Sequence, residues 1–170
     1  MFDPTAFDNM KVVLEGAIYD RDLRGELVIT DRNDVMNMAK MSRSFDIVFQ
    51  LPDKMVSGIM KLESKLHNLT AELLSSSATN QLAGCYVELK FIIKTSSEVD
   101  YQKVKHILLG IWGETRKIEL SSISYPLEAN KTKSTVLTVD FDRLVTEDQM
   151  DDLVEMTEFM MTSLEQLSRL

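Results

Sequence analysis

The segment from Cys85 to Lys94 limits what this chain can fold into more than any other. Cys85, Val87, Leu89, Phe91 and Ile93 occupy every second position, with Glu88, Lys90 and Lys94 on the alternate positions. A period of two puts the apolar set on one face of an extended strand and the charges on the other. A strand with one wet face belongs in an antiparallel sheet that is packed on one side and solvated on the other. The remaining chain must therefore supply partner strands and a layer that covers one face.

Three further segments alternate clearly. Phe45, Ile47, Phe49 and Leu51 share one side of a strand over 45–51, and strands over 116–125 and 135–142 are joined by a polar loop from Pro126 to Lys133, the pattern of a hairpin. A weaker pair of strands is expected near 10–20 and 26–30. Residues 4–20 carry a competing pattern. Asp3 before Pro4 is a helix start, and Phe7, Met10, Leu14 and Ala17 recur at helical spacing. Against it, Lys11-Val12-Val13 and Ile18-Tyr19 are β-rich, and a short N-terminal turn followed by a strand is the reading adopted.

The covering layer is expected from helices. Met55, Ile59, Leu62, Leu66, Leu69 and Leu73 repeat in a 4-3-4-3-4 rhythm, which predicts one long helix. Residues 97–113 place Tyr101, Val104, Leu108, Ile111 and Trp112 inward, and a short helix is expected from Asp34 to Met41. The last helix opens at Thr146-Glu147-Asp148-Gln149, a capping box, with acids in its first turns that suit the positive end of the helix dipole. The expected fold is α+β: a two-layer sandwich in which helices cover a mainly antiparallel sheet, ending in a long C-terminal helix. No Pro- or Gly-rich linker divides the 170 residues, which are expected to form one domain.

The formal charge is −8, and it is local. Residues 142–165 hold eight acids against Arg143 alone, a balance of −7, whereas everything else holds 19 acids and 18 bases. Scattered basic pairs such as Lys61 with Lys65 and Lys103 with Lys105 do not form the clustered patch that phosphate neutralisation needs, so nucleic acid is not expected as a partner. No apolar run reaches the roughly 18 residues of a membrane span, and Met1 to Ala6 show neither the basic nor the apolar region of a secretory signal, so a cytoplasmic protein without membrane attachment is expected.

Chemistry is sparse. There is no metalloprotease, nucleophile-elbow or glycine-rich phosphate motif. His67 and His106 lie off the apolar stripes of their helices, and Cys85 shares a face with Val87 and Leu89, which reads as a core thiol. Asp20 to Asp31 imitates a calcium loop, but Arg24 occupies a position where the ion wants an oxygen, so a charged turn is expected there. No catalytic residue, metal or cofactor is assigned.

The C-terminal helix is the most informative element. Met150, Leu153, Thr157, Met160, Leu164 and Leu167 make its central stripe. Met156 and Phe159 widen one flank and Val154 and Met161 the other, so that the apolar arc covers roughly 220°, more than a one-sided surface helix needs. Val154, Met156, Phe159 and Met161 are therefore the candidate interface residues. The expected function is a non-enzymatic interaction or regulatory protein, a homo-oligomer whose acidic, Met-rich last helix meets another copy or a basic-surfaced protein. The alternative is a small-molecule-binding protein or enzyme with a pocket between sheet and helices, its polar groups drawn from Tyr19, Arg43, Tyr125 and Asp140.

Overall fold

The computed structural model describes residues 6–74 and 79–170. Its frame is one six-stranded sheet, antiparallel at every pairing, in the order β1-β2-β3-β4-β6-β5. The strands are β1 (Val28–Asn37), β2 (Ser42–Gln50), β3 (Ser57–Ser64), β4 (Gly84–Thr95), β5 (Lys117–Ser124) and β6 (Lys133–Thr146). Four helices, α1 (Ala6–Leu23), α2 (Leu66–Leu74), α3 (Tyr101–Trp112) and α4 (Met150–Leu167), complete the α+β architecture expected from the alternating strands.

Burial follows the pleat. On β2, Phe45, Ile47 and Phe49 are buried; on β4, Cys85, Val87, Leu89 and Phe91; on β6, Leu137, Val139, Phe141 and Val145. The intervening residues, among them Asp46, Lys61, Glu88, Lys90 and Asp140, form a charged, partly exposed second face. The apolar side chains of α1, α3 and α4 join the buried sheet residues in a single core cluster. α4 lies between α1 and α3, packed against both. The chain enters it through a 3-10 turn at Glu147–Gln149, where the Thr146 N–H donates to Gln149 Oε1 at 3.3 Å, as the capping box predicts.

Four local expectations change. Residues 6–23 are the helix α1 rather than a turn and strand, because Ala6, Phe7, Met10, Leu14 and Ile18 all face the core. Val12 sits on its outer face, where its modest helix penalty is easily carried. The Asp3–Pro4 start lies outside the described residues. Residues 55–73 are not one helix but β3 followed by α2. The 4-3 rhythm arose from residues on both faces of β3: Leu62 is buried, whereas Ile59 lies on the partly exposed side. The real inward set, Gly58, Met60, Leu62 and Ser64, alternates but includes two residues that a hydrophobicity count ignores. Residues 34–37 extend β1, and the chain turns over 38–41 instead of forming a helix. Asp34 is fastened there by Lys11 at 2.6 Å and by Arg43 at 2.9 Å, which ties α1 to the first hairpin. Finally, α3 starts at its cap Asp100, and Tyr101 is exposed rather than inward.

The hydrogen bonds from Arg43 and Lys11 hold the Asp34 carboxyl down at about 2, against an ordinary 3.8. A carboxylate made more acidic by folding contributes its stability in full above its unfolded value and loses it as pH falls through the folded one. Urea unfolding of the wild type and Asp34→Asn is therefore expected to show a stability gap at about pH 5. After allowance for solvent screening, that gap of about 1 kcal/mol should close as pH approaches 2.

Glycine spacing supplies a second check. A Cβ at Gly84 would collide with the backbone carbonyl of Val145 on β6, whereas a Cβ at Gly58 would meet the mobile Cε methyl of Met160 at 3.0 Å. Gly84→Ala is expected to cost about 2 kcal/mol or more and Gly58→Ala distinctly less, read as shifts in denaturation midpoint.

Candidate functional site

The outer surface of α4 is where sequence and structure meet on a candidate site. Its central stripe is buried as expected, with Leu153, Thr157, Met160 and Leu164 fully enclosed. The two widened flanks divide. Met156 and Met161 are 5% and 8% exposed and serve the chain's own core, whereas Val154 and Phe159 remain 41% and 38% exposed. At about 100° per residue, Val154 and Phe159 border opposite sides of a strip formed by Asp151, Glu155, Glu158 and Glu165. Of these acids, Glu158 pairs with Arg21 of α1. Among the described residues Asp151, Glu155 and Glu165 have no ion-pair partner.

Phe159 is held firmly. Its ring meets Trp112 of α3 edge-on at 5.5 Å and 83°, and Trp112 in turn meets Phe141 of β6 at 5.7 Å and 78°. The Trp112 indole N–H donates to Ser163 Oγ at 3.0 Å, and that hydroxyl donates to the Phe159 carbonyl at 2.8 Å. Arg116 caps the cluster with its guanidinium 4.6 Å from the Phe141 ring centre. Together these groups wall a cleft of about 140 Å³ whose rim includes Arg143, Asp152 and Glu155, with Arg143 and Asp152 joined at 2.7 Å. The arrangement presents a pre-set aromatic edge beside a strip of free carboxylates. Trp112 was legible in the sequence only as a core residue, because its meeting with Phe141 and Phe159 joins three distant elements.

A larger cleft of about 510 Å³ opens at one end of the sandwich. Met55, Val56, Ile93, Val99 and Leu167 supply apolar lining, and the buried Ser168 hydroxyl there has no partner. Lys54 and Lys103 line it together with Asp53, Glu98 and Asp100, so the cleft carries both signs of charge with one acid in excess. None of the four residues expected to serve a small-molecule pocket lines this cleft. Tyr19 accepts a hydrogen bond from Arg32, Arg43 is engaged by Asp8 and Asp34, Tyr125 is exposed after β5, and Asp140 lies on the charged face of the sheet.

Other chemistry stays unassembled. His67 and His106 are exposed. Among the described residues no three His, Cys, Asp or Glu side chains converge on a metal position, and in the calcium-like turn Arg24 and Arg21 take up Glu26 at 2.6 and 2.8 Å. No helix of the described residues is long and apolar enough to cross a membrane. Asn68, part of a glycosylation-like triplet, is buried and bonded to Lys65 and Leu82, which removes it as an acceptor. No family model, curated protein or solved structure matches this chain.

Burial pushes the Cys85 thiol up to about 12, against a smaller opposing effect of the Ser64 hydroxyl 3.3 Å away. The thiolate is the reactive form, so Cys85 is expected to resist alkylation in the folded protein at about pH 8 and to react at the rate of unfolding. Rapid labelling under native conditions would contradict the placement.

Proposed function

We propose that the chain is a non-enzymatic interaction or regulatory protein whose acidic last helix docks a basic-surfaced protein partner. The observation that supports this most directly is the pairing of exposed Val154 and Phe159 with the free carboxylates of Asp151, Glu155 and Glu165 on one outward face. Carboxylates steer a basic partner and set its register, and a fixed aromatic at the border supplies apolar area at little entropic cost. Self-association through this face is disfavoured, since a twofold contact would press each row of acids against its own copy. The homo-oligomer expected from the sequence therefore needs a different surface.

A lysine- and leucine-rich amphipathic peptide is a suitable probe, with affinity read by fluorescence anisotropy. Wild-type protein is expected to bind it with an affinity that falls as salt rises, and Phe159→Ala with Val154→Ala to weaken it about tenfold, the loss of roughly 1.4 kcal/mol. Equal binding by wild type and variant, or none beyond that of an unrelated protein of equal net charge, would refute the proposal.

The second reading, small-molecule binding, rests on the 510 Å³ cleft, which falls in the usual size range of ligand pockets.

A further inference from the structure

An open sheet has two edges, and each turns backbone N–H and C=O groups outward at every second residue. Here the edges are β1 and β5, and they are built differently. β1 carries Asp31, Arg32 and Asp34, has a register shift between Ile29 and Asp31, and is tied to α1 through Lys11 and Glu15. Charges and bulges of this kind are what keep an edge from pairing. On β5 the charges are confined to one end, where Lys117 and Glu119 pair with each other at 2.6 Å. The strand pairs with β6 without a register shift, and Leu120 to Ser124 contains no charge, no proline and no glycine. Only Ile118 of this strand is partly sheltered, while Leu120 and Ile123 are exposed, and beyond its end Tyr125 is exposed and Leu127 entirely so.

We propose that β5 is a self-association edge: two copies pair β5 with β5, antiparallel, about a twofold axis perpendicular to the sheet. The occupant is a second copy because antiparallel pairing of the strand with itself closes the edge about a twofold and places no like charges directly opposite each other. With the axis at Leu120, the exposed leucine lies against its own copy, Ile118 against Ser122, Glu119 against Ser121 and Lys117 against Ile123. No like charges lie directly opposite one another. Residues opposite each other on an antiparallel ladder share a face, so the helix layers of both copies lie on the same side of a continuous sheet. Strand pairing alone buries less than the roughly 800 Å² per partner of a stable dimer. Beyond the strand end, exposed Tyr125 and Leu127 supply further apolar surface for the contact. The dimer then presents two acidic α4 faces on one side, which lets one extended basic partner engage both.

The test uses the full chain in sedimentation equilibrium over a wide concentration range. Wild type is expected to be a dimer whose melting temperature rises with protein concentration, and Leu120→Lys with Ser122→Lys a monomer with unchanged circular dichroism and a melting temperature independent of concentration. Directly opposed residues on such a ladder have Cα atoms about 4.5–5.5 Å apart, within disulfide reach. Leu120→Cys should therefore give a disulfide-linked dimer under mild oxidation, and Val35→Cys on β1 should not; buried Cys85 does not compete. A monomeric wild type, a dimer that survives the double-lysine variant, or cross-linking at Val35→Cys instead of Leu120→Cys would overturn the proposal. Peptide binding by the double-lysine variant reads the α4 proposal separately, so failure of one does not obscure the other.

Discussion

The packing of α4 against the inner face of the sheet is the interaction on which the rest depends. A sheet with one apolar face must be covered, and α4 fills the middle of the cover between α1 and α3. Gly58 makes this contact close: with no side chain on β3 at that point, Met160 and Leu164 descend onto the strand. Each fully enclosed aliphatic side chain of the α4 stripe contributes about 2 kcal/mol by leaving water, so the helix cannot roll without exposing several of them.

That fixed rotation decides where the charge goes. Once Leu153, Thr157, Met160 and Leu164 point inward, Asp151, Glu155, Glu158 and Glu165 must point outward, and the −7 of one segment becomes a surface feature. The same rotation uses Met156 and Met161 internally and leaves Val154 and Phe159 at the borders. An acidic face of this kind favours a basic partner and opposes its own copy, whereas the neutral edge strand β5 has no such objection. Two different surfaces can therefore serve two different contacts.

The reactive side chains take no shared position. The sole cysteine is a desolvated core group beside Ser64, the histidines are solvated on separate helices, and Arg43 and Asp34 spend their charge fastening α1 to the first hairpin. Of these, Arg43 and Asp34 contribute stability through their ion pairs.

The strands read over 45–51, 85–94, 116–125 and 135–142, which became β2, β4, β5 and β6, together with α3 and the capped, acid-fronted α4, were readable in the sequence, because each carries a period of two or 3.6. The local net charge and the burial of Cys85 followed from the same patterns. Residues 6–23 and 55–73 were misread because both periods fit short stretches of apolar residues, and only the neighbours decide between them. Phe7, Met10 and Leu14 needed a core to face, and Gly58 and Ser64 became inward positions only when α4 and β4 lay close by. Which flank residues of α4 stay exposed, and which sheet edge stays bare, also lay beyond the sequence. Local patterning determines the faces an element can offer; the order of the strands and the packing of the helix layer determine which faces are covered.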